Sequence, residues 1–129
     1  KWLEPEPIAG VFEDVRFASG KSVLRKTPYG TVLIIGPWNY PFLLIFAPVI
    51  SAIAAGNSVL LKPSELCVNS TIAVTKVLES ALDPTIFQIV QGGIEETTYL
   101  LEKKWDKIML TGSPKVMKLL RSWPFLADH

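Results

Sequence analysis

The sequence predicts an α/β fold in which short parallel strands alternate with helices. Three observations carry this. Four apolar runs, at 31–35, 58–62, 86–90 and 107–110, have strand length, and three of them are closed by Gly or Pro. The segments between them carry helical apolar spacing or helix-capping residues. The connections are only a few residues long, and alternation of this kind implies parallel strands, right-handed crossovers and helices on the faces of the sheet.

Residues 1–20 are rich in Pro, Glu and Gly without sustained periodicity, and read as an extended arm leading into a domain over 21–121. Thr31-Val32-Leu33-Ile34-Ile35, closed by Gly36-Pro37, is the first buried strand. Asn39 or Tyr40 stands just before Pro41, a residue suited to the first turn of a helix, and the apolar stretch runs on to Ala55, where Gly56-Asn57 offers a C-terminal cap. A nearly all-apolar, buried helix is expected there, with Pro48 as the place for a kink. Ser58 to Lys62 is the second strand, stopped by Pro63. Asn69, Ser70 or Thr71 caps a helix running to about Leu82, with Ile72, Val74, Val77, Leu78 and Leu82 as its apolar face and Asp83-Pro84 as its end. Ile86 to Val90 is the third strand, closed by Gly92-Gly93. Glu95 to Lys104 is helical, with acids early and lysines late, the order the helix dipole prefers. Lys107 to Leu110 is the fourth strand, turning at Thr111-Gly112-Ser113 into a helix from about Pro114.

Thirteen Lys and Arg against 12 Asp and Glu give no strong field, which argues against nucleic acid or anionic lipid as a partner and for a small ligand. From Thr27 to Leu61 there is no charged residue, long enough to raise a membrane span. Pro28, Pro37, Pro41, Pro48, Gly30, Gly36 and Gly56 interrupt that run, and in lipid the breaks would leave backbone groups unsatisfied, so a buried strand, turn, helix, strand unit is the better reading. Cys67 is the single cysteine, which leaves no intrachain disulfide or cysteine-rich metal site and favours a reducing, cytoplasmic compartment. The chain opens Lys1-Trp2-Leu3 without Met or a signal pattern and reads as a piece of a longer frame, in which membrane association through other segments stays open.

In a parallel sheet of this kind the ligand site lies beyond the carboxyl ends of the strands. Four turns are therefore expected on one edge: Gly36-Pro37-Trp38-Asn39, Lys62-Pro63-Ser64-Glu65, Gln91-Gly92-Gly93 and Thr111-Gly112-Ser113. Lys62 and Glu65 place a long donor and an acceptor where a ribose or phosphate can be held, though the same tetrapeptide is an ordinary solvated turn and helix start. Gly112-Ser113 offers free N–H groups to a diphosphate, or is simply a turn. Asn39 is able to cap the following helix, the more ordinary role, or to donate to an oxyanion.

Taken together, Gly36-Pro37-Trp38-Asn39-Tyr40-Pro41-Phe42, the run from Ile53 to Glu65, Gly92-Gly93-Ile94-Glu95-Glu96-Thr97 and Thr111-Gly112-Ser113 resemble the aldehyde dehydrogenase superfamily in its class 3 branch, as does the opening Lys1-Trp2-Leu3-Glu4-Pro5-Glu6-Pro7. The resemblance runs from residue 1 to about Leu120. It implies a Rossmann-like parallel sheet, part of an NAD(P)-binding domain over 21–121, and oxidation of aldehydes to carboxylic acids with NAD or NADP. It further implies that Asn39 is the oxyanion-hole amide, that Lys62 and Glu65 bond the adenosine ribose, that Pro37 and Trp38 form the floor near the cofactor, and that Gly112 and Ser113 face the diphosphate.

The family reaction also needs a cysteine thiolate and a glutamate base, and both lie well past the Thr-Gly-Ser turn in family members. Sixteen residues follow Ser113 here and contain neither block. Cys67 falls at a position with no catalytic counterpart, and His129 is a chain end. Met117 stands where the family keeps a second glycine, Pro114 and Lys115 replace small residues, and 122–129 no longer resembles the family. The expectation is a chain that is inactive alone, with no metal site. A non-catalytic adenosine-binding module and an oligomer-interfering fragment are the alternatives. Missing flanking strands would leave a sheet edge open, so the isolated chain is expected to be unstable, to aggregate, or to pair with itself or with an intact homologue, and a stable monomer on size-exclusion chromatography with cooperative thermal unfolding counts against it.

Overall fold

A computed structural model of the chain describes residues 3–8, 22–114 and 118. Glu6–Pro7 (β1) pairs antiparallel with Val23–Leu24 (β2), and an ion pair between Lys26 and Glu6 fastens this exposed ribbon. The rest alternates as expected: β3 (Thr31–Ile35), α1 (Leu43–Ala54), β4 (Ser58–Lys62), α2 (Val68–Ala81), β5 (Phe87–Ile89), α3 (Ile94–Leu101) and β6 (Lys107–Leu110). These four strands form a parallel sheet in the order β5-β4-β3-β6. The chain steps outward from β3 to β4 and β5, then returns to the other side of β3. Strand order therefore reverses between β3 and β6, the kind of switch point beyond which open α/β sheets hold their ligands.

The two-residue period of a strand sends alternate side chains to opposite faces. Val32 and Ile34 of β3, with Val59 and Leu61 of β4, meet Ile45 and Val49 of α1 and Val74 and Leu78 of α2. Leu33 and Ile35 meet Leu100 and Leu101 of α3, with Trp105 and Ile108 packed against them. Burial on both faces is why β3 and β4 read as unbroken apolar runs. The Trp105 indole N–H donates to the Leu100 carbonyl at 2.6 Å, which closes the chain below α3.

Several expectations are corrected at the helices. The helix expected from Pro41 starts at Leu43 and runs without interruption across Pro48. It is not buried all round: Ile45, Pro48 and Val49 are buried, while Leu43 and Ile50 are 64% and 60% exposed. Apolar composition reports what a residue prefers, whereas only one side of α1 has the sheet against it. The C-terminal cap is as expected: Gly56, at φ +85°, and Asn57 donate to the carbonyls of Ile53 and Ala52, the paired bonds of a Schellman motif. The Asn57 side chain then joins this helix end to β3, donating to Ala52 O and accepting from Gly30 N.

α2 begins at Val68 with Cys67 at its N-cap, before the expected Asn69, Ser70 or Thr71, and no side chain caps it. Its sheet-facing residues are Thr71, Val74 and Leu78, so Ile72 and Val77 of the expected apolar face are exposed. α3 ends at Leu101, which leaves Lys103 and Lys104 beyond its last turn, although Glu95 and Glu96 do occupy the first. The third strand is shorter than expected, 87–89. The helix expected from Pro114 lies almost wholly outside the described residues, as does His129.

Gly36 sits where β3 ends against α1. A Cβ there would stand 2.8 Å from Ile45 Cγ1, a side chain that is itself fully buried. Gly36→Ala is expected to cost about 1–3 kcal/mol of stability through overpacking. Thermal denaturation reads this, and adding Ile45→Ala, which removes the clashing atom, should recover none of the cavity cost but should make the Gly36 change nearly neutral. Fully additive losses would rule the clash out.

Candidate functional site

The carboxyl ends of β3, β4 and β6 and the first turns of α3 open on one cleft of about 1020 Å³. All seven residues singled out from the sequence line it. Pro37, Trp38 and Asn39 come from the turn after β3, Lys62 from the end of β4 and Glu65 from the turn after it, and Gly112 and Ser113 from the turn after β6. The fourth expected turn contributes Gly93. Tight register explains the convergence, because Ile35 lies between Lys62 and Leu110 and the three strands end level. Backbone bonds continue the ladder past the strands, from Gly36 N to Lys62 O at 2.9 Å and from Thr111 N to Ile35 O at 3.2 Å.

Lys62 is the strongest polar feature of the cleft. Its side chain is 3% exposed, an unusual state for a lysine. The ammonium donates to Pro63 O at 3.0 Å and lies 3.4 Å from Glu65 Oε2, whose side chain is 47% exposed. Three ammonium hydrogens meet two protein acceptors, the second at the long end of a hydrogen bond, so donor capacity is left over. Ser64, which sequence reasoning passed over, organises the turn: its hydroxyl accepts from Leu66 N at 3.3 Å and its carbonyl accepts from Thr71 Oγ1 at 3.3 Å.

Asn39 is exposed on the cleft and makes no side-chain bond to α1, whose N-cap is Phe42 with no side-chain cap. The capping role expected as the ordinary one is therefore not taken. Trp38 is 63% exposed on the same turn. Gly112 and Ser113 are exposed beside them, as is Lys118.

The inner face of α3 was also missed. Ile94, Thr97, Thr98 and Leu101 line the cleft, and their spacing of three, four and seven is that of one helix face, a signal present in the sequence. Its first turn is held by Glu96, whose carboxylate accepts from Gly93 N at 2.7 Å, while Thr97 Oγ1 donates to Gly93 O at 2.6 Å. Bonds from its own backbone N–H and from Gly93 hold the Glu96 carboxyl below the usual carboxylate range, and the Lys62 charge adds in the same direction. A depressed folded value means that this contribution is complete above the unfolded value and is lost as pH falls through the folded one. The acid-side loss of thermal stability is accordingly expected to be shallower in Glu96→Gln, measured from neutral pH to about pH 3. An unchanged acid limb would remove Glu96 as its source.

Cys67 is half-buried, with Sγ 3.5 Å from Ser64 O and 3.8 Å from Thr71 Oγ1. Among the described residues no group of His, Cys, Asp and Glu is placed to hold a metal ion, and no helix is long and apolar enough to cross a membrane.

Comparison with known proteins bears directly on this cleft. The model of the Aldehyde dehydrogenase family matches residues 8–123. Aldehyde dehydrogenase family 3 member H1 of Arabidopsis thaliana is 55% identical over 119 residues, which are 92% of this chain and 24% of that protein. The 4,4'-diaponeurosporen-aldehyde dehydrogenase of Staphylococcus aureus is 46% identical over 100 residues, 78% of this chain and 22% of that protein. Among solved structures, the substrate-bound state of Staphylococcus aureus AldH superposes with a TM-score of 0.82 at 39% identity, covering 92% of this chain and 25% of that one. The NAD+ complex of betaine aldehyde dehydrogenase from Staphylococcus aureus gives 0.72 at 26% identity, covering 96% and 24%. The chain thus spans about a quarter of the length of the relatives it matches.

Proposed function

Since the chain belongs to the aldehyde dehydrogenase family, an oxidoreductase family, we propose that its cleft holds a nicotinamide dinucleotide, NAD or NADP, and lends one donor to aldehyde oxidation. One observation carries the reading: seven residues drawn from three separate turns line a single cleft at the switch point of a parallel sheet. The fit rests on Lys62, a desolvated ammonium with donor capacity to spare beside a carboxylate, which suits vicinal ribose hydroxyls that both donate and accept. Lys62 and Glu65 hold the ribose, Gly112 and Ser113 present N–H groups to the diphosphate, and Pro37 and Trp38 form the floor. When bound, the dinucleotide supplies the hydride acceptor. Asn39, exposed and uncommitted to α1, offers its amide to the oxygen of an aldehyde as negative charge develops there.

The thiolate and the base that complete aldehyde oxidation are, in this reading, outside the 129 residues. Cys67 is committed to the Ser64 carbonyl at the start of α2 and takes no part. The chain by itself then binds the cofactor and does not turn over.

Trp38 gives the direct test. Titration with NAD+ is expected to change the tryptophan emission of the chain, and Trp38→Phe is expected to abolish most of that change while leaving affinity within about threefold. Emission that never responds, or a response that persists in Trp38→Phe, would reject Trp38 as part of the floor. Absorbance of NADH with added aldehyde separates a binding module from an enzyme, and steady NADH formation by the purified chain would overturn the claim that it lacks the chemistry.

A further inference from the structure

Tyr40 carries the only positive φ outside glycine among the described residues, at +50°. Left-handed backbone costs an L-residue about 1–2 kcal/mol, and such outliers persist where the surroundings impose them, often at functional sites. Its ring does not explain the conformation, since Tyr40 is 71% exposed. Its neighbours do. Pro41 follows, and a residue before proline is kept out of the right-handed helical region. In the bend over residues 38–40 between β3 and α1, the left-handed Tyr40 turns the chain so that Tyr40 O accepts the Leu44 N–H at 3.0 Å while Phe42 O accepts Phe46 N at 2.8 Å. Backbone carbonyls thus take the N–H groups of Leu44, Ile45 and Phe46, and α1 starts without a side-chain cap.

That arrangement leaves the preceding residue free. Asn39, otherwise the natural capping residue of this junction, lines the cleft instead. We propose that Tyr40 is a positioning residue for Asn39, and that it acts through its left-handed backbone and not through its ring. Strain at residue 40 holds the Asn39 amide on the cleft side of the turn. The proposal takes its functional weight from the reading of Asn39 as an oxyanion donor, but the test below reads where the amide is and not what it does.

The experiment is a residue-40 series in the full 129-residue chain at one fixed protein concentration, read by thermal denaturation and by the NMR signals of the Asn39 side-chain amide. Tyr40→Gly, for which a positive φ carries no steric penalty, should melt within about 2 °C of the parent or above it and keep the Asn39 amide signals in place. Tyr40→Phe should do the same. Tyr40→Val, whose branched Cβ excludes the left-handed region, should lose about 4 °C and move both Asn39 amide signals. Unmoved Asn39 signals in a folded Tyr40→Val would overturn the proposal. So would displaced signals in Tyr40→Gly, because the ring and not the backbone would then be the hold. If Tyr40→Val does not fold, Tyr40→Gly decides alone, by retained or displaced Asn39 signals. Loss of NAD+ binding with unmoved signals would instead fault the reading of the cleft.

Discussion

Lys62→Ala is expected to weaken NAD+ binding about 30-fold in a calorimetric titration of the chain. Burial sets the size of the effect: at 3% exposure the ammonium is largely removed from water, and its protein partners are one carbonyl at 3.0 Å and one carboxylate oxygen at 3.4 Å. A hydrogen bond to a charged group is worth about 1.5–3 kcal/mol, and 2 kcal/mol corresponds to about 30-fold in affinity. Glu65→Ala should cost less, about fivefold, because its carboxylate is half exposed and competes with water for the same hydroxyls. Lys62→Met separates the charge from the stem, since it keeps most of the buried methylenes and discards the donors. If Lys62→Met binds NAD+ as the parent does, the ammonium is no ligand donor and the assignment of the ribose site fails. A loss as large as that in Lys62→Ala locates the effect in the charge.

The same lysine shows how much of the fold and site was legible in the residues. All four parallel strands were readable as short apolar runs; β3 and β4, buried on both faces, need no alternation, and turn residues follow the first three at Gly36, Pro63 and Gly92. Once the strands are parallel and the connections short, the turns must meet at one edge, so topology gathers the candidate residues there, while the role of each was implied by the family resemblance alone. What could not be read is what depends on contact. The β1 and β2 ribbon has two residues a side and so carries no period. The face of α2 is chosen by Thr71, Val74 and Leu78, a choice that the competing apolar residues Ile72 and Val77 obscure. The position of Asn39 turns on one dihedral at Tyr40, where the composition points to a cap. The α3 face at Ile94, Thr97, Thr98 and Leu101 had its helical spacing on view, but two threonines among apolar residues resemble a solvated face until the cleft is seen.

A second large effect is expected one residue before the site. Leu61 is fully buried between Ile34 and Ile89 in register, within the cluster that joins β3 and β4 to α1 and α2. Leu61→Ala removes three carbons from a packed interior and should cost about 3 kcal/mol, where such changes span about 2–5 kcal/mol. For a domain with about 5–15 kcal/mol in hand this is a large share, and the midpoint of thermal unfolding should fall by about 10 °C. Leu61 and Lys62 are adjacent on one strand and point to opposite faces, so the two substitutions separate packing from binding. Leu61→Ala should lower the melting temperature and lose apparent affinity only through the unfolded fraction, with saturating NAD+ restoring part of the midpoint by mass action. Lys62→Met should do the reverse, with a small change in melting and, at the same NAD+ concentration, a smaller stabilisation by NAD+ than in Leu61→Ala. Equal effects of both substitutions on melting and binding would mean that β4 cannot be divided into a packing strand and a ligand-holding end, and that the cleft is only as ordered as the core behind it.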